Sequence, residues 1–366
     1  MDTAPACSLF PLLQEALHRG ASDLHLAAGR PPMLRIHGDL LHLGHRPLAA
    51  DAVSALLQPL ISVAHRTGTP PRPGTATLAP SGANPAQDLD FALELPGLSR
   101  FRVHVFEQRR GPAAVIRVVP SAIRSLASLQ APSVLADLAL RPHGLVLVVG
   151  PTGSGKSTTL AALLDHRNRS HPGHILTIED PIEFVHESQL SLVNQREVGR
   201  HTPSFEAALR SALREDPDVI LLGELRDGPS MRLALTAAET GHLVLATLHA
   251  SSAVQAVDRV VDVFEASEKA LVRTQLSESL QGVVSQVLCK TADGRDRVAA
   301  WEVLVGTPAV AHLIRENKGA QLVSVMQSGS SQGMQTLDQH LAQLAHSGRI
   351  TADEARRLAR FPEHFR

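Results

Sequence analysis

The chain has 366 residues, of which 43% are hydrophobic, 19% are charged and 3% are aromatic. This length is typical of about two domains, and the apolar fraction is large enough to give each a core, so extensive disorder is not expected. The 35 basic and 36 acidic residues leave a net charge of −1, and aromatic stacking platforms are scarce, so the composition disfavours a nucleic-acid-binding or membrane-surface protein.

The chain has few cysteines, and its sequence shows no clear targeting or membrane segment. Cys7 and Cys289 are too few for a disulfide framework or a cysteine zinc cluster. No apolar run approaches the ~18 residues of a membrane span, and the first residues lack a basic segment followed by an apolar one. We therefore expect a soluble, cytoplasmic protein.

The first third of the chain has the pattern of a small mixed domain. Apolar residues over 9–17 share one helical face, and Gly20 ends this predicted helix. Alternating segments at 22–26 and 33–36 predict short strands, and Gly38-Asp39 is a turn signal.

Two features complete this domain. Residues 66–87 are rich in Pro, Gly, Thr and Ala without periodicity, which predicts a loop. Residues 101–106 and 114–119 then alternate in hydrophobicity on either side of an Arg-Arg-Gly-Pro segment, which predicts an antiparallel hairpin closed by Pro120.

From residue 143 onward, apolar runs alternate with helical patterns. This alternation is typical of an α/β sheet that is covered on both faces. The predicted strands are 145–149, 175–178, 219–222 and 243–247. A stripe of Leu337, Leu341 and Leu344, and a capping box that opens at Thr351, predict a helical tail.

These patterns predict four segments. They are an N-terminal domain over 1–120, a linker over 121–142, an α/β core over 143–300 and a C-terminal helical extension over 301–366.

Residues 150–157 form the most specific motif. They read Gly-Pro-Thr-Gly-Ser-Gly-Lys-Ser and match G-x-x-x-x-G-K-[ST] between a predicted strand and a predicted helix. Glycines let backbone N–H groups converge on a phosphate, Lys156 supplies charge, and the Ser157 hydroxyl can ligate Mg²⁺. The residues predicted to bind nucleotide triphosphate are Gly150, Pro151, Thr152, Gly153, Ser154, Gly155, Lys156, Ser157 and Thr158.

Two acidic clusters follow predicted strands. The strand 219–222 runs into Gly223-Glu224, the form of a Walker B segment, and the strand 175–178 runs into an acidic turn that ends at Glu183. Strand ends beside a phosphate loop can supply a metal ligand and a group that orients water. The alternative is solvated loops with helix-capping acids.

A histidine stands at each end of the predicted strand 243–247. His242 and His249 are seven residues apart, which places them on opposite pleat faces of a regular strand. One could face the nucleotide and the other a neighbour, and histidines held by packing are the alternative. A metal site is disfavoured because no third ligand is nearby.

Several segments in chain order resemble the PilT-type retraction ATPases of the secretion ATPase superfamily. They are 22–26 with 29–33, the Walker A loop at 150–157, the Asp box at 177–183, Gly223-Glu224 of Walker B, the His box at 240–249, the AIRNLIRE-like stretch 309–316, and 333–338. The resemblance covers nearly the full chain and is more specific than the phosphate loop alone.

The resemblance implies a RecA-like P-loop ATPase domain, an α/β fold, preceded by a smaller PAS-like α+β N-terminal domain and followed by a helical C-terminal extension. It implies a homo-hexamer with ATP and Mg²⁺ bound between the two domains. It also implies that Glu183 polarises water, that Glu224 handles Mg²⁺ or water together with Ser157, and that His242 and His249 contact the γ-phosphate region.

The resemblance further implies that two arginines of the predicted hairpin, Arg102 and Arg117, reach the triphosphate. The alternative is a surface hairpin with ordinary arginines. The chain departs from the family pattern at His104, where Asn is frequent, and at Ala311-His312, where Arg-Asn is usual.

The implied function is a motor at the cytoplasmic face of the inner membrane that hydrolyses ATP to power pilus retraction, pilin disassembly and twitching motility. Its implied partners are an inner-membrane pilus platform protein and a paralogous retraction ATPase, with no nucleic acid and membrane contact only through partners. An accessory, PilU-like nucleotide-binding subunit is the alternative. An extension or type II secretion ATPase is less favoured, because those commonly carry a tetracysteine zinc element and this chain has only Cys289 in that region.

Overall fold

Apolar side chains gather into separate clusters, and these divide the chain into two units. The structure, a computed structural model, describes residues 8–36, 38–66, 88–95, 97–119 and 122–365. The first unit spans Met1–Ala122 and the second spans Ile123–Arg366. Each unit has its own buried core, in agreement with the length of the chain.

The described part of the first unit is an antiparallel sheet with two helices. The strand order is β3-β2-β1-β6-β5-β4, and every neighbouring pair is antiparallel. The elements are α1 (Leu9–His18), β1 (Asp23–Ala27), β2 (Met33–Ile36), β3 (Asp39–His42), α2 (Ala50–Arg66), β4 (Leu89–Leu95), β5 (Ser99–Gln108) and β6 (Gly111–Val119).

One face of this sheet forms a core with the two helices. Leu24, Val103 and Ile116 of the sheet are fully buried in one cluster with Leu13 of α1 and Val53 of α2. Because strand side chains alternate between faces, the residues between these positions lie on the other face of the sheet. The predicted first helix and short strands are confirmed.

The predicted hairpin is also confirmed. Strands β5 and β6 pair in antiparallel register, and Arg102 lies directly opposite Arg117. Of the predicted loop over 66–87, Arg66 is the last residue of α2, and the rest lies outside the described residues, as does Pro120.

The second unit is built on a seven-stranded sheet of order β13-β12-β7-β11-β10-β8-β9, parallel except for β13. Its elements are α3 (Val134–Ala139), β7 (Gly144–Val149), α4 (Lys156–Ser170), β8 (Gly173–Glu179), β9 (Ser191–Glu197), α5 (Phe205–Ala212), β10 (Val219–Leu222), α6 (Gly228–Glu239), β11 (Leu243–Leu248), α7 (Ala253–Asp262), α8 (Lys269–Ser279), β12 (Leu280–Lys290), β13 (Arg297–Val305), α9 (Pro308–Arg315), α10 (Leu322–Ser328), α11 (Leu337–His346) and α12 (Ala352–Leu358).

All four predicted strands of the second unit are confirmed. Every residue of β7, β10 and β11 is buried, as expected for parallel strands covered by helices on both faces. The predicted apolar stripe is buried on α11. Across the described residues, the helices are too short or too polar to span a bilayer.

One predicted segment contains a helix, and one predicted boundary falls inside a strand. The predicted linker 121–142 contains α3, whose Leu135 and Leu138 are fully buried in the core of the second unit. The predicted start of the helical extension, residue 301, lies within β13, which pairs with β12 in the sheet. Local composition did not reveal these long-range contacts.

The capping box that we expected at Thr351 is only half formed. Thr351 Oγ1 accepts a hydrogen bond from Glu354 N at 3.1 Å, but the Glu354 carboxylate accepts from Lys290 N and from Arg357 instead of returning to the cap. A complete capping box occurs at the start of α11, between Thr336 and Gln339.

Candidate active site

The phosphate loop joins the end of β7 to the start of α4. Gly150, Gly153 and Gly155 have φ values of 149°, 78° and 91°, a region that favours glycine. A Cβ on Gly150 would overlap the carbonyl oxygen of Gln286 and lie 2.6 Å from Ser154 Oγ. The chain can follow this path only because the first residue of the motif has no side chain.

One buried side chain supports the loop from β12. Gln286 is 2% exposed, and its Nε2 donates to Ser154 O at 2.5 Å while its Oε1 accepts from Thr159 Oγ1 at 2.7 Å. The amide thereby joins the loop to the first turn of α4. No sequence motif marks Gln286, and the sequence analysis missed it.

The start of α4 has the features of an anion site. Among the described residues, no side chain caps this helix and its first turn contains no acid. Its N–H groups and positive dipole end therefore suit an anion. Ser154 Oγ is buried and has no hydrogen-bond partner in the described part of the chain. This donor set fits a phosphate group.

Lys156 connects the phosphate loop with the acidic side of the site. Its Nζ donates to the carbonyl oxygens of Gly150 and Pro151, both at 3.0 Å. Burial lowers the pKa of Lys156, and the charges of Glu224 and Glu183 act in the opposite direction. The charges of both predicted catalytic carboxylates thus favour the protonated form of Lys156.

Glu224 follows β10, and His249 follows the neighbouring strand β11. Glu224 Oε1 lies 3.2 Å from His249 Nε2, and Glu224 Oε2 accepts from Arg226 Nη2 at 2.6 Å and Nε at 2.8 Å. These side chains line a cleft of about 360 Å³. The structure thus brings two predicted catalytic residues together, and it adds Arg226, which the sequence analysis did not single out.

Glu183 lies in the segment 180–186 after β8, here called the acidic loop. Side chains of β8 and β9 bind four backbone groups of this loop. The bonds run from Ile182 N to Glu197 Oε2 (3.0 Å), from Glu183 N to Glu179 Oε2 (3.4 Å), from Gln195 Nε2 to Phe184 O (2.9 Å) and from His186 N to Gln195 Oε1 (2.8 Å). The position of Glu183 therefore depends on residues outside its own loop.

The carboxyl group of Glu179, at the same edge of the sheet, has a raised pKa. Its Oε1 accepts from Thr177 Oγ1 at 2.7 Å and from Gln195 Nε2 at 3.1 Å. Burial raises the pKa of Glu179 to about 7, and the nearby charge of Glu183 acts in the same direction. A carboxyl group with this pKa exchanges its proton near neutral pH. The sequence placed Glu179 in the Asp box but gave no sign of this burial.

The two histidines lie at opposite edges of the sheet. His242 precedes β11, where its carbonyl oxygen accepts from Gly144 N at 3.0 Å and its Nδ1 lies 3.0 Å from Ala237 O. The six residues of β11 separate it from the edge that carries the phosphate loop, a distance of about 20 Å. Within its own unit the structure therefore does not bring His242 to the phosphate loop, and contact of both histidines with the γ-phosphate region stays a prediction.

The predicted arginine pair lies in the first unit. Arg102 of β5 and Arg117 of β6 are directly opposite each other, so their side chains share one face of the sheet. Arg117 Nε donates to Asp23 Oδ1 at 2.9 Å. Both arginines lie on the predicted hairpin, but their direct pairing and the contact with Asp23 follow from no sequence pattern.

The residues present also suit a nucleotide-bound magnesium ion. Within the described ranges, no three His, Cys, Asp or Glu side chains are grouped to hold a metal ion. Mg²⁺ usually keeps waters and binds one or two protein groups together with substrate phosphates, so such a cluster is not required. The Ser157 hydroxyl in the first turn of α4 and the Glu224 carboxylate have the right chemistry.

Comparison with known proteins agrees with this geometry. Residues 4–294 match the family model of the type II/IV secretion system proteins. The chain is 52% identical to the type IV pilus retraction ATPase PilT of Pseudomonas aeruginosa, over 97% of this chain and 98% of that protein. It is 49% identical to a twitching motility protein of Neisseria gonorrhoeae, over 98% and 92% respectively.

A solved structure supports the fold. The crystal structure of the pilus retraction motor PilT with bound ADP is similar over 98% of both chains, with a TM-score of 0.81 and 40% identity. This confirms the predicted RecA-like α/β ATPase fold with a smaller N-terminal domain and a helical C-terminal part. The chain therefore belongs to the type II/IV secretion system protein family and is a PilT-type ATPase within it.

Proposed function

We propose that this ATPase is the motor that powers type IV pilus retraction, by driving pilin disassembly and twitching motility. The observation that carries the proposal is the meeting of three groups at one edge of the sheet. The phosphate loop, Glu224 and the acidic loop with Glu183 follow β7, β10 and β8, which are parallel strands of one sheet, so all three lie at the same edge. An ATPase needs this combination of phosphate binding and carboxylates.

Each group in the site has a proposed role. The phosphate loop binds the triphosphate through backbone N–H groups and Lys156. Glu183 polarises the attacking water, and Glu224 acts on the water or on Mg²⁺, with His249 beside it. Mg²⁺, when bound, neutralises developing phosphate charge, and Ser157 and Glu224 would hold it. Both Glu224 oxygens already have partners, which favours contact through water.

We propose that the working assembly is a homo-hexamer in which Arg102 and Arg117 bind the triphosphate. The proposed partners are an inner-membrane pilus platform protein and a paralogous retraction ATPase, with the motor at the cytoplasmic face of the membrane. The division into segments 1–120, 121–142, 143–300 and 301–366 remains a proposal in its boundaries. The relatives named PilT and twitching motility protein support this function.

The test combines a purified protein with a cellular assay. The protein should hydrolyse ATP in the presence of Mg²⁺, and Lys156→Ala should reduce turnover to background because the main charge on the phosphates is lost. In cells, a deletion strain and a Lys156→Ala strain should keep surface pili but lose twitching. Loss of surface pili would indicate an assembly motor and would contradict the proposal.

An accessory role in the retraction machinery is a second candidate. The family departure at Ala311-His312 falls on α9, and His312 is exposed there. This places the change on the surface, where it can alter a subunit contact and leave hydrolysis intact. Production of this protein alone in cells that lack the principal retraction motor discriminates the two roles: restored twitching supports a motor, and its absence supports an accessory subunit.

A further inference from the structure

Four charged residues form one row across the sheet of the first unit. Arg102 of β5 is directly opposite Arg117 of β6, which is opposite Asp23 of β1, which in turn is opposite Arg35 of β2. Leu24, the neighbour of Asp23, is fully buried on the core side. The row therefore lies on the face directed away from the core.

Asp23 is the only acid in this row, and it is held at both oxygens. Its Oδ1 accepts from Arg117 Nε at 2.9 Å, and its Oδ2 accepts from Ser22 Oγ at 2.8 Å. The Asp23 side chain is only 6% exposed. A buried carboxylate that is fixed by two donors has one orientation, so it can fix the orientation of whatever group it binds.

The contact leaves one side of the Arg117 guanidinium for another ligand. Among the described residues, the bond from Arg117 to Asp23 uses Nε, while Nη1 and Nη2 form the fork that binds phosphate oxygens in pairs. The Arg117 side chain is 51% exposed, in contrast to its buried partner. The guanidinium is thus anchored at its inner nitrogen on a half-exposed side chain.

Electrostatics favours retention of this contact when a phosphate binds. Two arginines placed directly opposite each other on neighbouring strands repel, and Asp23 offsets that repulsion. If Arg117 moved away, the buried Asp23 carboxylate would lose the cation that is hydrogen-bonded to it, and only Arg35 would remain opposite it, which is unfavourable. We therefore expect Arg117 to bind an anion without release of Asp23.

We propose that Asp23 is a positioning residue that orients Arg117 so that its Nη fork faces the triphosphate of ATP. Ser22 would act behind it, by holding the second oxygen of Asp23. The proposal rests on the proposed function of Arg117 as a triphosphate ligand. It adds the residue that sets the direction of that ligand.

A double-mutant cycle on the full-length protein tests this proposal. The variants are Asp23→Asn, Arg117→Ala and the double variant, assayed for kcat and KM with Mg-ATP, with thermal unfolding as a check of folding. We expect Arg117→Ala to lower kcat/KM about 100-fold and Asp23→Asn about tenfold. If Asp23 acts through Arg117, the double variant should be no worse than Arg117→Ala.

Two further variants guard against unfolding of Asp23→Asn and against a general effect of net charge. Ser22→Ala removes one bond to Asp23 and should lower kcat/KM about threefold, which gives a result even if Asp23→Asn unfolds the protein. Glu15→Gln is the control. It changes the net charge by the same amount as Asp23→Asn, but at an exposed ion pair with Arg19, and it should leave kcat/KM unchanged.

The possible failures are distinguishable. If Arg117→Ala reduces activity but Asp23→Asn and Ser22→Ala do not, the role of Asp23 is overturned and that of Arg117 stands. Additive losses in the double variant would likewise show that Asp23 does not act through Arg117. If Arg117→Ala has no effect, the proposed function of the arginine fails, and the inference fails with it.

Discussion

The phosphate loop and the acidic loop lie at the same edge of the second unit but are held in different ways. The phosphate loop owes its path to glycines with positive φ and to the buried amide of Gln286. The acidic loop has its backbone bound at four positions by side chains of Glu179, Gln195 and Glu197. The path of the phosphate loop is thus set by its own glycines and by one buried amide from β12, whereas the Glu183 carboxylate is placed by side chains of two neighbouring strands.

The largest expected effect on ATP binding comes from a change in the phosphate loop. Gly150→Ala should weaken ATP binding more than about 100-fold, because the new Cβ would overlap Gln286 O and displace the loop. Gly153→Ala is the matched control: its φ is 78° and no atom lies within 4 Å of the added Cβ. It should cost about 1 kcal/mol of backbone strain and keep ATP affinity within about tenfold.

Equilibrium binding of ATP to both variants checks this prediction. Equal losses for the two glycines would show that backbone conformation alone, rather than the contact with Gln286, shapes the loop.

The free energy of unfolding is expected to depend on pH because of Glu179, next to the acidic loop. Since the pKa of Glu179 is raised from about 4.5 to about 7, the folded protein keeps a proton that the unfolded chain has lost between these values. The stability contributed by this proton is present below about pH 4.5 and is lost as the pH rises to 7. Glu179→Gln removes the titration, so its stability relative to wild type should increase by about 2 kcal/mol from pH 5 to pH 8.

Urea unfolding of wild type and Glu179→Gln at the two pH values measures the difference, and titrations common to both proteins cancel. If the difference in unfolding free energy between the two proteins does not change with pH, the raised pKa of Glu179 is contradicted.

A smaller effect is expected from the residue that binds the acidic loop twice. Gln195→Ala removes the bonds to Phe184 O and His186 N, so it should lower kcat about tenfold, with little change in KM, because Glu183 is misplaced while phosphate binding persists. Leu192→Ala, on the same strand and 55% exposed, should leave both constants unchanged. Steady-state ATPase kinetics distinguishes these outcomes from a rise in KM, which would place Gln195 in nucleotide binding.

The contrast between local and long-range support also explains which features could be predicted from the sequence. The strand–loop–helix context of the phosphate loop, the four buried strands and the hairpin over 101–119 follow from local motifs and periodicity, and they are confirmed. The direct pairing of Arg102 with Arg117 is a finding of the structure. Gln286 and Gln195 were missed because each lies far along the chain from the loop that it supports. Their function depends on strand order, which no local pattern encodes.

Other features could not be read locally for related reasons. The family resemblance puts His242 and His249 together, but strand β11 carries its two ends to opposite edges of the sheet. Helix α3 lies within the predicted linker, because its apolar contacts are with distant strands. The capping signal at Thr351 was correct for the threonine only, since Glu354 has partners on β12 and on its own helix.

The most direct test of the central claim is the single-turnover hydrolysis of ATP bound to Glu183→Gln. If the two loops form one site, with phosphate held by one and water activated by the other, this variant should bind ATP with nearly wild-type affinity. It should cleave the bound ATP about 1,000-fold more slowly than the wild type. Cleavage within tenfold of the wild-type rate would contradict the account.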